Sequence, residues 1–521
     1  MAILSKLFLE KTAQCPDKTA IWCDGKTISY TALARLVRRY CDCLAGNGVA
    51  FGDHVGFPMS NSIESVAMIF AAAHMGVALV PISPTLPFAA MKRVFDVGNV
   101  KHIVAREAFY ESEGARLGEF GFARGGAMFC IDGEYEGCIT LNGAEGDTGD
   151  TGGGGVRDSE GAGSTATVTG DETLIVCFTS GSTGSPKAIS LTQNDKYRRA
   201  IAHINLYGIT ENDNVLAATP LYHTLAERLA IMPLILGGTL VLLPRFTPNI
   251  WMNCVQEQKV TFTIAVSAQL SQVASMLSSP FSPMLSSLRC VVSSSALLEP
   301  HIRNELIQGL KCDFHEMYGA SEISTATNIH FQRNPEKQRS VGYPLPEAEI
   351  RIKTQDGRNA EPLEIGEIQC KTSLICNDYY GMGELFDAQM DDRYFKTGDL
   401  GYLDEDGFLY FSGRIKEMII TGGINVYPQD IEQCVLEIPD INECAAFAYP
   451  DERLVEVVAL AVTLKPNCKL TKRAIQVQCA RNLADFQQPH RIYVLNELPK
   501  NAMGKVMKNC LLKHIQLMGM E

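Results

Sequence analysis

Short apolar runs bounded by glycine or polar residues alternate along most of this chain with longer stretches of helical period. Residues 19–23 and 26–30 flank Asp24-Gly25, the two-residue turn of a hairpin, and Thr31 is placed to cap the helix that follows. Ser60 is read as the cap of an apolar helix reaching about His74; Gly76 ends it, and residues 77–82 form the next strand. A helix over 91–97 and a strand over 102–105 repeat the alternation. Further strands are expected at 174–178, 215–219, 289–292 and 313–316, with an apolar helix opening at Thr224. Strands alternating with covering helices predict an α/β fold: a large N-terminal domain, residues 1–415, of mixed and parallel sheets. Beyond it the pattern changes to a helix (429–437), strands (443–449 and 455–464), a helix (471–484) and a short strand (492–495). That order reads as a small α+β domain, residues 416–521.

Residues 142–170 interrupt the pattern with ten glycines, five acidic residues and no aromatic residue. Such a segment cannot bury enough apolar surface to offset its ordering entropy, so it is expected to be a flexible insertion.

Composition narrows the classes. At 521 residues, 46% apolar and 20% charged, the chain exceeds what one core serves, and its balance is that of a soluble protein. A net charge of −13 argues against nucleic-acid or anionic-membrane partners, which require a basic face. The 17 cysteines contain no C-x-x-C pair and lie in apolar contexts, as reduced core thiols of a cytoplasmic protein would. The charged start is no signal peptide, and no segment offers the apolar length of a membrane span.

Candidate chemistry centres on Phe178-Thr179-Ser180-Gly181-Ser182-Thr183-Gly184-Ser185-Pro186-Lys187, directly after an apolar strand. Two glycines permit tight turns, while hydroxyls, backbone N–H groups and one lysine can all face an anion. The glycine spacing is not that of a P-loop, and alone the stretch reads equally as a surface turn. His223, Ser295-Ala296 and Tyr318-Gly319-Ala320-Ser321-Glu322 stand at further strand ends, where ligands of α/β sheets bind. Glu322 suits Mg²⁺, and Asp399 alone would read as a turn residue.

Five stretches together, residues 178–187, Tyr318 to Glu322, Thr397-Gly398-Asp399, Gly413-Arg414-Ile415-Lys416-Glu417 and residues 499–505, resemble in order and spacing the motif series of the adenylate-forming (AMP-binding) superfamily. The resemblance covers nearly the whole chain and implies an acyl-CoA synthetase type of acid–thiol ligase. It implies that Thr179, Ser180, Gly181, Ser182, Thr183, Gly184 and Lys187 hold the ATP phosphates, and that Glu322, with Thr179, holds Mg²⁺. Tyr318 beside Gly319 would stack on adenine near Ser295 and Ala296, Ser321 would touch the α-phosphate, and Asp399 and Arg414 would hold the ribose. His223 would line the acyl pocket. Lys416 aligns with a hinge about which the small domain rotates. One orientation brings Lys505 to the transferring phosphate, and the other brings Gly422 and Gly423 beside the pantetheine arm of the acceptor.

Ser294 and Ser295 stand where the family has two glycines, and Val266-Ser267-Ala268 lacks the family's prolines. Neither departure removes a group the chemistry needs. The expectation is therefore an enzyme that activates a carboxylic acid with ATP and Mg²⁺ and passes the acyl group to coenzyme A. A separate phosphopantetheine carrier protein is the alternative acceptor. A catalytically silent adenylate-binding protein is the alternative class, and the presence of both Glu322 and Lys505 counts against it. Leu225 and Leu229 share one helix face and suggest a fatty or otherwise apolar acid; Glu227 and Arg228 read as a polar face making ion pairs. If the helix register differs by one residue, Arg228 instead suits the far carboxylate of a dicarboxylic acid.

Overall fold

The computed structural model describes residues 4–123, 125–141, 167–179, 187–277, 285–422, 424–451, 453–468, 470–501 and 504–519. The expected insertion therefore lies mostly outside the described residues, as do Ser180 to Pro186 and Gly423.

Two large sheets build the first part of the chain. One has nine strands in the order 343–344, 324–330, 313–320, 290–294, 262–266, 214–217, 239–242, 19–23 and 26–29. The other has eight, in the order 378–379, 187–192, 173–179, 78–82, 54–58, 102–105, 128–130 and 139–140. Their central strands are parallel, and His54–Pro58, Ala78–Ile82, Phe262–Val266 and Cys290–Ser294 are buried on both faces, as parallel strands under helices must be. Helices Ile63–Met75 and Thr224–Leu236 are apolar almost all round because they lie between elements, and one core joins them to both sheets.

Boundaries move by a residue or two from expectation. Ser29, not Thr31, caps Tyr30–Gly46 through a bond from Ala32 N; Ser62, not Ser60, caps Ile63–Met75 by accepting from Ser65 N at 3.2 Å. Strand Asp313–Ala320 runs four residues past the expected end, which puts Tyr318 and Gly319 inside a strand.

A third sheet, strands 348–353, 366–372, 394–403 and 390–391 with 409–414 against 394–403, is not evident from apolar runs. Its antiparallel strands alternate charged and apolar residues, as in Glu349, Arg351 and Lys353, with one face half-open to solvent. This sheet supplies Asp399 and Arg414. The fourth sheet, strands 419–421, 424–426, 441–451, 455–464 and 491–494, carries helices Pro428–Leu436 and Lys472–Asn482 over its own core. A last helix, Lys508–Leu517, was not expected. The fold is thus mixed α/β with a large N-terminal and a small C-terminal domain. All 17 cysteines are free, and among the described residues no helix is long and apolar enough to cross a membrane.

Candidate active site

Strand Asp313–Ala320 and its antiparallel neighbour Ser324–His330 are joined by a tight turn holding Ser321 and Glu322. A side chain on Gly319 could not fit: its Cβ would lie 1.9 Å from the Ser324 carbonyl oxygen. The turn is fixed from behind by Arg199, 1% exposed, on helix Gln193–Tyr207. Its guanidinium donates to the carbonyls of Leu374 (2.9 Å), Ser321 (2.9 Å) and Glu322 (2.7 Å). Cys376 N donates to the Glu322 carbonyl as well, at 2.7 Å.

With its backbone held, Glu322 presents a part-exposed carboxylate. Tyr379 Oη donates to Glu322 Oε1 at 2.9 Å, and Lys187 Nζ donates to Tyr379 Oη at 3.3 Å while lying 4.9 Å from the ring centre. The lysine that closes the Gly-rich stretch and the carboxylate expected to hold Mg²⁺ thus meet through a tyrosine. A hard oxygen donor with its second oxygen outside that bond fits Mg²⁺. Neither Arg199 nor Tyr379 was expected, because their partners are distant in sequence and no local motif marks them. The Thr179 side chain and Ser180 to Gly184 lie outside the described residues.

A second cluster faces a cavity of about 560 Å³ whose walls come from both domains. Ser295, Ala296, Tyr318, Gly319, Asp399 and Arg414 line it from the large domain, and Lys505 from the small one. Asp399 and Arg414 are directly paired across adjacent strands. Tyr318 Oη donates to Asp399 Oδ2 at 2.8 Å, and Arg414 Nε lies 3.1 Å from Asp399 Oδ1, in ion-pair range though not aligned as a hydrogen bond. Burial raises the Asp399 carboxyl above its ordinary range, while Arg414, the Tyr318 bond and Lys505 pull it back. Burial likewise pushes the Tyr318 phenol well up, so it stays a donor.

Lys505 reaches this cavity because its loop packs closely on the large domain. Gly504 has φ +73°, and a Cβ on it would lie 2.5 Å from Ala268 Cβ, at the start of helix Ser267–Leu277. The small side chain of Ala268 is what leaves room for the loop. Burial, then the nearby Arg414, lowers the Lys505 ammonium below its ordinary range, and Glu417 and Asp399 oppose them. Lys508 Nζ, a turn away, pairs with Glu432 at 2.7 Å. Ser295 adopts φ +78°, a conformation glycine takes freely and serine does not.

Lys416 sits in the short turn Ile415–Glu417; burial lowers its ammonium, with Arg414 and Lys187 adding to the effect. Gly422, φ +57°, donates its N–H to the Leu454 carbonyl at 3.1 Å on the hairpin of the small domain and is not among the cavity's walls. Of the expected residues, the structure therefore collects Ser295, Ala296, Tyr318, Gly319, Asp399 and Arg414 with Lys505, joins Lys187 to Glu322 through Tyr379, and leaves Gly422 elsewhere.

His223 precedes helix Thr224–Leu236 without capping it. Its ring packs on Tyr222, Nε2 is buried without a partner, and burial lowers its pKa to about 4, so it is a neutral imidazole at neutral pH. The helix behind it carries the expected ion pair, but in the interior. Glu227 and Arg228 make no exposed polar face: both are buried, Glu227 pairs with the equally buried Lys196, and Arg228 Nη1 bonds His203 Nε2 at 2.9 Å and lies 3.4 Å from Thr325 Oγ1. The helix is enclosed by helix Gln193–Tyr207 and the core on all sides, which periodicity alone could not reveal.

Comparison with known proteins agrees with this geometry. The family model described as AMP-binding enzyme matches residues 8–380, and that described as AMP-binding enzyme C-terminal domain matches 430–505. An indoleacetate–CoA ligase of Aromatoleum aromaticum is 31% identical over 95% of this chain and 94% of its own length. A 2-succinylbenzoate–CoA ligase of Oceanobacillus iheyensis is 27% identical over 95% and 96%. Among solved structures, o-succinylbenzoate CoA synthetase from Bacillus subtilis in complex with its acyl-adenylate superposes with a TM-score of 0.81 at 25% identity, over 96% of this chain and 97% of that one.

Proposed function

Since the chain belongs to the AMP-binding enzyme family, and is an AMP-forming acid–thiol ligase by that membership, we propose that it activates a largely apolar carboxylic acid, aromatic or fatty, and transfers it to coenzyme A. The observation that carries the reading is the two-domain cavity in which Tyr318, Asp399 and Arg414 meet Lys505. A purine suits the ring of Tyr318 and the small Ala296, vicinal hydroxyls suit Asp399 flanked by Arg414, and an ammonium aimed from the other domain suits the charge that builds on the α-phosphate during acyl transfer. Lys187 and the hydroxyls of Thr179, Ser180, Ser182 and Thr183 would take the outer phosphates, with Ser321 at the α-phosphate. Glu322 would hold Mg²⁺, which supplies charge neutralisation to the polyphosphate. His223, neutral and with Nε2 lacking a partner, is suited to accept or donate one hydrogen bond beside the acid.

Lys416 is the proposed hinge. Rotation about it would withdraw Lys505 and bring Gly422 and Gly423 to the acid, so that residues 1–415 and 416–521 act as two bodies. Free cysteines throughout fit a reducing, cytoplasmic setting.

The apolar choice rests on helix Thr224–Leu236. Its Glu227 is neutralised by Lys196, so no carboxylate there is left to meet the ammonium of an amino acid. Similarity to the indoleacetate ligase supports an aromatic acid. One observation favours a second reading, an acid with a distal carboxylate: Arg228 is buried, its only bonds among the described residues are to neutral His203 and Thr325, and the 2-succinylbenzoate ligases are also relatives.

ATP–pyrophosphate exchange across indoleacetate, phenylacetate, octanoate, 2-succinylbenzoate and malonate tests both readings. Highest kcat/KM for an acid without a second carboxylate supports the first. Preference for 2-succinylbenzoate or malonate, lost in Arg228→Met, would establish the second. Adding coenzyme A or a phosphopantetheinylated carrier protein to the adenylate then decides the acceptor, and absence of exchange with every acid would leave a silent binder.

A further inference from the structure

At the amino end of the strand that carries Tyr318, Asp313, His315 and His330 bring one potential ligand atom each within 4.8 Å of one another. Their arrangement follows from the sheet. Asp313 and His315 are two apart on one strand and so share a face, and His315 stands directly opposite His330 on the antiparallel neighbour. The two rings lie 4.5 Å apart, edge to face.

We infer that Asp313, His315 and His330 form a binding site for a first-row transition-metal ion of the Zn²⁺ type, separate from the Mg²⁺ that serves the nucleotide. Two imidazoles and one carboxylate are a borderline-soft set that suits such an ion and not Mg²⁺, which takes oxygen ligands. Three protein ligands leave a position for water, and Asp313, 59% exposed, opens the site to solvent.

Two observations support an ion here over a chance cluster. Both ring nitrogens of His330 are buried and neither makes a hydrogen bond; Nδ1 has no partner and Nε2 has only the contact with Asp313, so the ring is costly to bury unless something fills the place. Asp313 Oδ1 stands 3.3 Å from His330 Nε2, near enough for an ion to draw the two together. Outer contacts fit as well. Asn328 lies 3.1 Å from His315 Nδ1, and Tyr207 Oη donates to Asn328 Oδ1 at 3.1 Å. A half-turn of the Asn328 amide, with Tyr207 Oη then accepting from its NH2 group, would place the amide oxygen on Nδ1–H and free Nε2 for the metal, the outer support that ligating histidines commonly have.

Bound ion would tie strand Asp313–Ala320 to strand Ser324–His330 at the end opposite the turn that holds Glu322. The inference does not depend on which acid is activated.

The test is titration of untagged, reduced protein with Co²⁺ alone, in excess Mg²⁺, followed by visible absorption. One equivalent should bind with ligand-field bands of four- or five-coordination, and Zn²⁺ should displace it. Asp313→Asn, at an exposed position, should weaken binding at least tenfold, and His330→Gln should abolish it, both with ATP–pyrophosphate exchange intact as a check of folding. Retained binding in both variants, no stoichiometric uptake, or an intense near-ultraviolet band from cysteine thiolate would overturn the assignment. If His330→Gln does not fold, the Asp313→Asn titration decides alone.

Discussion

Tyr379 Oη donates to Glu322 Oε1 at 2.9 Å across 57 residues of sequence, and the same hydroxyl accepts from Lys187. The phenol thereby orients one carboxylate oxygen and one ammonium where the ATP phosphates are proposed to bind. Burial raises the Tyr379 phenol, and Glu322 raises it further, so it acts as a donor throughout the working pH range.

Tyr379→Phe keeps the packing of the ring against Phe386 and removes only the hydroxyl. A hydrogen bond to a charged group contributes about 1.5–3 kcal/mol. If part of that orients Glu322, pyrophosphate exchange should fall roughly tenfold, with a higher Mg²⁺ concentration needed for half-maximal rate. An unchanged Mg²⁺ dependence would show that the tyrosine packs without positioning.

Lys505→Ala should slow acyl-adenylate formation by ~10²–10³, the loss typical of one transition-state donor. Thioester formation from supplied acyl-adenylate should survive, because the lysine is expected at the site only before the small domain turns. Equal loss of both half-reactions, measured by single turnover in protein of normal stability, would refute that division.

Those two residues also show what the sequence made legible. Lys505, Asp399, Arg414 and Tyr318 lie in contiguous stretches whose order along the chain identifies them, although only the fold brings them to one cavity. Tyr379 and Arg199 act on partners more than 50 and 120 residues away, and Arg199 acts on backbone carbonyls, which leave no trace in side-chain identity. Apolar runs found parallel strands such as 78–82, 102–105 and 290–294 because both their faces are apolar, though strands 54–58, 239–242 and 262–266 were not singled out. Such runs missed strands 348–353 and 366–372, whose half-exposed faces carry charges that resemble loop composition. The burial of Glu227 and Arg228 was not legible for a related reason: charges on a helix usually mark solvent, and here Glu227 pairs with Lys196 and Arg228 bonds His203 in the interior.

Ser295→Gly should raise stability. The serine holds φ +78°, where a side chain costs roughly 1–2 kcal/mol, against about 0.4–1 kcal/mol of added chain entropy for glycine in the unfolded state. A net gain of about 1 kcal/mol in urea unfolding is expected, together with a lower KM for ATP because the cavity wall recedes. Lost stability would instead show that the bond between the Ser294 and Ser295 hydroxyls, 3.3 Å apart, outweighs the strain.

His223 allows a pH test that is independent of turnover. Burial lowers its folded pKa to about 4, while in the unfolded chain it titrates near the ordinary value of about 6.5. Between these values the unfolded state holds the extra proton, so folding stability falls as pH drops through that window; the contribution of the neutral ring is complete above about pH 6.5 and lost below about pH 4. Buried carboxyls such as Glu316, raised to about 8, act in the opposite direction, since their contribution is lost as pH rises. Comparing the wild type with His223→Asn cancels those shared terms. The stability difference between the two should move in favour of the variant by about 1.4 kcal/mol per pH unit near the middle of the window, and should be constant above pH 7. Chemical denaturation at half-unit steps from pH 7.5 to about 4.5 measures it. A flat difference would mean that His223 is solvated, and with it the neutral hydrogen-bonding role beside the acid would fall.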